Sequence, residues 1–278
     1  MSIRPRSVAL GLGIGWAVVA LVAYTGMGAP VDAWCYYGFD PAQPWAPGSC
    51  FLYSPPVAVV MNVVQVLMPF EVFTFLLRSA ELLVLVAVAG PAVGLALFIP
   101  AIAIEINAAN VNLLIVGAVL IGFRYPWTWA FIILTKVTPG VGLLWFAVRR
   151  EWRNFALALG ATLAVATVSW LVAPGLWPQY LAGLGVAEDD SMFGIAWRLP
   201  LAAIVVVWGA RHDHRWAVIV AVFLAMPRWY YLSPVILVGL FSLVRLPRPL
   251  PMPETVRRWV SHPAAATSDG RTARAPSS

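Results

Sequence analysis

Residues 105–112 read Glu-Ile-Asn-Ala-Ala-Asn-Val-Asn, and they stand between two apolar runs, PAVGLALFIPAIAI at 91–104 and LLIVGAVLIGF at 113–123. A carboxylate and three carboxamides cannot face hydrocarbon without partners, because unpaired polar groups there are costly. They must be buried in protein or lie at a membrane surface. The chain around them therefore reads as a bundle of apolar helices that gathers its polar residues at chosen places.

Composition supports this. Hydrophobic residues make up 61% of the 278 residues and charged residues 11%, with a mean hydropathy of +0.83. A soluble domain carries roughly 25% charged residues, so too few charges remain to cover a globule. A soluble enzyme, a disordered chain and a nucleic-acid-binding module are excluded. The long unbroken runs lack the ~10-residue alternation of an outer-membrane barrel. The expectation is an all-α, polytopic helical membrane protein of about eight spans, with residues 1–245 as the membrane-embedded domain. From Arg245 the chain turns rich in Pro, Arg and Ser, so 246–278 reads as a disordered cytoplasmic tail.

Charge sets the topology. The net charge of +6 comes mostly from arginine, Lys136 being the only lysine. Basic residues mark cytoplasmic loops. Arg4 and Arg6 precede an apolar run from Val8 to about Gly28, long enough to span and longer than a usual signal-peptide core. It reads as an uncleaved first helix with the N-terminus inside. The loop Pro30–Tyr53 is then outside. It holds Asp32 and Asp40, no basic residue, and both cysteines. Cys35 and Cys50 are expected to form a disulfide, since such bonds persist in extracytoplasmic space.

Pro55–Pro69 reads as a helix in or dipping into the outer interface, and Val72–Ala89 as a full span. Arg78 and Glu81 lie on one face of that span and are expected to pair. Pro91–Ile104 reads as a shorter span, and Leu113–Phe123 as another apolar helix. Trp127–Val148 is apolar except for Thr135-Lys136-Val137-Thr138-Pro139 at its centre. It is either one straight span or a hairpin of two half-helices. The hairpin is preferred, because it leaves Arg124 and Arg149 on one side. Phe155–Val172 and Met192–Ala210 read as spans. Between them a loop ending in Glu188, Asp189 and Asp190 lies outside. Trp216–Met226 and Trp229–Val244 are two short spans joined at Pro227–Arg228. Both termini are then cytoplasmic.

The order of these motifs resembles glycosyltransferase family 87, the polyprenol-phosphate-mannose-dependent mannosyltransferases with a GT-C membrane fold. The carriers are Asp32-Ala-Trp-Cys-Tyr36-Tyr37, Tyr53-Ser-Pro55-Pro56, the island Ala108-Ala-Asn110-Val-Asn112 and Lys136-Val-Thr138-Pro139. Arg149–Arg153, the pair Ser191 and Arg198, and Pro227-Arg-Trp229-Tyr-Tyr231 follow in the same order. The similarity runs from about Asp32 to Leu243. The chain is shorter than most of the family, and Ala-Ala replaces the family's Gly-Gln in the island.

The resemblance implies an integral-membrane transferase of the cell envelope, carrying a hexose such as mannose from a polyprenyl-phosphate donor to a lipid or glycan hydroxyl. The transfer would occur at the outer face of the cell membrane. No cofactor or metal is implied, and the partners are membrane lipids, the donor lipid and the acceptor. Deprotonating an acceptor hydroxyl needs a base. Asp32 is the candidate, with Glu105 as a second carboxylate. The leaving phosphate needs cations, and Lys136, Arg198 and Arg228 are the candidates. Tyr36, Tyr37, Asn110 and Asn112 are candidates for sugar and acceptor contacts. Structural readings stand beside these: a loop-end Asp32, a paired Lys136, helix-capping asparagines and interface-belt aromatics. A transporter and a non-catalytic membrane subunit are the rival classes. A transporter of the common kind would show an internal hydropathy repeat, and none is found.

Overall fold

Prolines start the helices of this chain. Pro5, Pro55 and Pro100 each open one, at a position where the missing N–H is no loss and the fixed φ suits a helix. The computed structural model describes residues 5–26, 30–184, 194–230 and 232–243, and among these there is no strand. The expected tail at 246–278, the acidic run Glu188–Asp190, Ser191 and Tyr231 lie outside the described residues.

Helix α1 (Pro5–Thr25) precedes a short helix α2 (Val31–Tyr37) and an irregular loop that ends at α3 (Pro55–Leu67). Cys35 of α2 is bonded to Cys50 in the loop, with Cα atoms 5.2 Å apart. Helix α4 (Phe70–Ala89) continues through a 3-10 turn, Gly90–Ala92, into α5 (Val93–Ala96). The segment expected as a separate span at Pro91–Ile104 is therefore two pieces. Its first half extends α4, and its second half belongs to α6 (Pro100–Ala108). Helix α1 packs on α5 where Gly13 meets Val93 and Gly94. A Cβ on Gly13 would fall 2.3 Å from the Val93 side chain, so only glycine permits that approach.

Helices α6 and α7 (Asn112–Gly122) meet at a 100° bend. Its local cause is Ala109, whose φ of 52° is left-handed. The Asn110 N–H donates to Glu105 O and the Ala109 N–H to Ile106 O, which is a Schellman ending with alanine in the place glycine usually takes. The buried guanidinium of Arg78 in α4 caps the same end. Its Nε donates to Ile106 O at 3.2 Å and its Nη2 to Asn107 O at 2.6 Å, while Nη1 reaches Tyr24 O at the end of α1 at 2.5 Å. Here the expected pairing with Glu81 is corrected. Among the described residues no ion pair joins them, because unmet backbone carbonyls at a helix end compete for the arginine. Both Glu81 oxygens are buried without a hydrogen bond.

The apolar segment after Arg124 is a hairpin. A 3-10 turn, Pro126–Thr128, leads into α8 (Trp129–Thr135). The chain breaks at Lys136 and returns through Thr138–Leu143 and α9 (Leu144–Val148). Phe123 sits 5.6 Å from Trp145 and Trp129 6.4 Å from Phe146, ring centre to ring centre, so the two ends lie side by side. Gly142 makes the return possible, since a Cβ there would meet the Trp129 ring at 2.3 Å. Helix α10 (Trp152–Val172) packs across α8, and α11 (Leu176–Leu184) follows. Helix α12 (Ile195–Arg211) pairs with α13 (Trp216–Leu224), and a 3-10 segment, Ser233–Gly239, runs into α14 (Leu240–Leu243).

Three described helices are long and apolar enough to cross a membrane, Pro5–Thr25, Phe70–Ala96 and Trp152–Val172, and the bent α6–α7 pair would make a fourth. Eight spans were expected. The remaining apolar segments do form helices, but breaks at Met68–Pro69, Lys136–Pro139 and Ala225–Pro227 keep them short. The core is made of these short pieces: Ile102, Ile106, Leu113, Ile115, Trp129, Ile132, Ile219 and Met226 are fully buried.

Two outcomes test this architecture. Replacing Cys35 and Cys50 by serine is expected to destabilise the folded chain by about 3 kcal/mol, the chain-entropy value for a loop of this size. Thermal unfolding with and without reductant measures it, and an unchanged midpoint would refute the clamp. Arg78→Met should be strongly destabilising, about 3 kcal/mol or more, because it orphans buried carbonyls. Glu81→Gln should leave the midpoint unchanged or raise it, since it replaces a buried carboxyl group that has no hydrogen-bond partner.

Candidate functional site

The break at Lys136 and the bend at Ala109 come together. Lys136 Nζ donates to Asn112 Oδ1 at 2.8 Å. Asn112, at the first turn of α7, donates its backbone N–H to Glu105 Oε1 at 2.8 Å and its Nδ2 to Glu105 Oε2 at 3.1 Å. Glu105, near the end of α6, is thus bound at both oxygens, and neither it nor Asn112 has exposed surface. The ammonium and the carboxylate are joined through one carboxamide, and each buried polar group meets a partner, as it must. The hairpin tip is tied on both sides: the Ser54 hydroxyl donates to Leu134 O and Thr138 Oγ1 to Ala225 O.

Asp32 comes to this place from the other direction. Pro30 precedes α2 in an extended conformation, and Asp32 falls in the first turn, where a negative charge suits the helix dipole. The carboxyl is partly buried, and no described residue hydrogen-bonds to it. Burial pushes its pKa above the usual carboxylate range, and the positive charge of Lys136 opposes that rise. Lys136 is the cation whose field reaches it.

One turn on from Asp32, the Tyr36 hydroxyl donates to Asn110 Oδ1 at 2.9 Å, and its ring meets Tyr53 edge-on at 5.0 Å. Burial holds the Tyr36 phenol well above its ordinary pKa, so it stays a neutral donor. Asn110 Nδ2 in turn donates to the Tyr230 hydroxyl at 2.9 Å. The Tyr37 hydroxyl donates instead to Met68 O at 2.8 Å, and its ring stacks on Phe73.

The three expected cations differ. Lys136 is held as described. Arg198 is buried under the loop after α13, donating to the carbonyls of Leu224, Met226 and Pro227 with its guanidinium over the Trp229 ring at 4.8 Å. It holds the loop that presents Tyr230. Arg228, on that same loop, has an exposed side chain.

The structure therefore brings together Asp32, Tyr36, Glu105, Asn110, Asn112 and Lys136, with the loop of Arg228 joined through Tyr230. It spends Tyr37 and Arg198 on packing. Sequence reasoning left out Tyr53, Tyr230 and Glu81 as members of this neighbourhood. Tyr53 and Tyr230 carried a signal, since each sits inside one of the proline-bearing motifs of the resemblance. Glu81 is a carboxyl in mid-run, buried with neither oxygen hydrogen-bonded among the described residues.

The other end of the bundle is basic. Arg149 pairs with Glu151 at 2.9 Å and Asp213 at 2.8 Å, and the guanidinium of Arg215 lies over the Phe123 ring. His212 and His214 stack there on each other and lie tilted against Trp208. Among the described residues no cluster of three or more His, Cys, Asp or Glu could hold a metal ion.

No curated protein and no solved structure matches the chain. The family model of glycosyltransferase family 87 matches residues 51–249, more than half of the chain. That range includes Glu105, Asn110, Asn112, Lys136, Arg198 and Arg228, while Asp32 and Tyr36 precede it. With its all-helical fold, membrane-length helices and this match, the chain belongs to glycosyltransferase family 87.

Proposed function

We propose that this membrane glycosyltransferase carries a hexose, mannose by its resemblance, from a polyprenyl-phosphate donor to a hydroxyl of a lipid or glycan acceptor. The observation that carries the reading is one neighbourhood holding Asp32, a carboxylate with no hydrogen bond among the described residues, beside the buried Lys136–Asn112–Glu105 chain. Asp32 takes the proton of the acceptor hydroxyl as its oxygen attacks the sugar C1. The bond from C1 to the phosphate oxygen breaks, and the polyprenyl phosphate leaves with its charge met by cations. Lys136 and the exposed Arg228 fit that task better than Arg198, whose guanidinium serves backbone carbonyls. Glu105, bound at both oxygens, orients Asn112 and through it Lys136.

The topology follows from charge. The arginine-rich end lies in the cytoplasm with both termini, and the site opens to the outer face of the cell membrane. The disulfide in the loop next to Asp32 fits that side.

Purified protein in proteoliposomes, given polyprenyl-phosphate mannose and lipid acceptors, is expected to release polyprenyl phosphate and form a glycosylated product. Failure with every polyprenyl-phosphate hexose would sink the reading. Asp32→Asn is expected to lower kcat by about 10²–10⁴-fold, the range for a lost general base, with donor binding kept. Because Asp32 must be ionised and its pKa lies above the usual carboxylate range, kcat/KM should rise with pH and reach its plateau later than for an ordinary aspartate. An acid limb no higher in pH than that of an ordinary aspartate would contradict that. Arg228→Gln should raise donor KM about tenfold, the loss of one charge-assisted hydrogen bond, and an unchanged KM would remove Arg228 from the phosphate site.

A further inference from the structure

Helix α2 has seven residues. A helix that short does not hold itself in water, so tertiary contacts must fix the direction in which Asp32 points. Asp32, Cys35 and Tyr36 lie at spacings of three and four residues, hence on one face. The disulfide ties that face to Cys50, which belongs to the same outer loop. Among the described contacts, the side-chain hydrogen bond that ties it to the polar island is the one from the Tyr36 hydroxyl to Asn110 Oδ1, at 2.9 Å and buried.

Asn110 is almost fully occupied by protein. Its Oδ1 also accepts the Val111 N–H at 2.7 Å, and its Nδ2 donates to Tyr230 at 2.9 Å. A carboxamide offers two lone pairs and two hydrogens, so both lone pairs and one hydrogen are already used. The residue is 1% exposed. Two residues further on, Asn112 holds Lys136 and Glu105. Asn110 therefore stands where the helix of the carboxylate, the chain of the ammonium and the loop of Tyr230 join.

We propose that Tyr36 and Asn110 are positioning residues that act as one strut, setting Asp32 at its distance from Lys136, and that neither contacts the sugar. This rests on the reading of Asp32 as the base. Loss of the strut lets α2 shift while the ammonium stays in place. A misplacement of about 1 Å can cost on the order of 10²-fold in rate, with little effect on substrate affinity.

The test uses the full chain in proteoliposomes, with Tyr36→Phe, Asn110→Ala and the double variant. Each single variant is expected to lower kcat at least about tenfold, with donor and acceptor KM changed less than about twofold. The double variant is expected to be no slower than the slower single one, as for groups that act as a unit. A rise in acceptor KM with kcat kept would make these residues sugar contacts and overturn the proposal. Multiplying effects would overturn the single strut.

Hydrogen exchange needs no turnover and separates this inference from the assignment of Asp32. Tyr36→Phe, which removes one oxygen, should speed exchange in α2 about tenfold and leave α7 and α8 unchanged. Unchanged exchange in α2 would overturn the strut even if Asp32 proves to be the base. If Asp32→Asn keeps full turnover while α2 exchange rises in Tyr36→Phe, the base assignment fails and the strut stands as a mechanical link.

Discussion

A helix that stops inside a membrane protein leaves carbonyls that water cannot reach, and the rest of this structure depends on how α6 solves that problem. The left-handed turn at Ala109 ties two of its last carbonyls to the backbone, and Arg78 supplies two further bonds from α4 to carbonyls of that end. Irregular backbone is tolerated at such a place only when it is packed in protein. Once the ending is satisfied, the chain can turn through 100° and set Glu105, Asn110 and Asn112 on the inside of the corner. A straight helix would keep Glu105 and Asn112, seven residues apart, on one face but turn Asn110 away from them. The arginine that caps the corner also takes Tyr24 O, so the end of α1 is fastened at the same point.

The second break, at Lys136, works by the same rule from the opposite side. The hairpin returns on itself because Gly142 lets it lie against Trp129. Its tip presents an ammonium to an amide that is already oriented by Glu105. Two interruptions in two different segments thus cover each other's unmet groups. Neither is stable without the other: Asn112 without Lys136 would leave an acceptor unpaired, and Lys136 without Asn112 would leave a buried charge with only the field of carboxylates around it.

Much of this was legible from residue order, and the reason lies in how local the signals are. Lys136 with Thr138-Pro139 inside an apolar run announces a break, and the arginines at 124 and 149 announce that both ends lie on one side. The island at 105–112 declares itself by polarity alone. What was not legible depends on partners far along the chain. Nothing at Arg78 says that its guanidinium prefers the carbonyls of α6 to the carboxylate one turn away. Nothing at Asn110 says that its amide joins Tyr36 and Tyr230. The 100° corner was hidden because the left-handed residue is alanine. A glycine at this position would adopt the φ without strain and would have marked the turn. Of the eight expected spans, three or four described helices reach membrane length, because hydropathy measures how apolar a run is, while prolines and turns decide how long each helix becomes.

Lys136 is the only lysine of the chain, and it is bonded to Asn112 within the polar neighbourhood. Every other cationic side chain that stays charged at neutral pH is a guanidinium, which does not react as an amine. Apart from the N-terminal amine, reagents that acylate or alkylate amines therefore have a single target in this protein, and reaching it requires access to the corner between α6, α7 and the hairpin. Covalent modification at that position reports on the openness of the site itself. Amine-directed tethering or surface immobilisation, applied to most proteins at scattered exposed lysines, would here fall on the N-terminus or on the interior.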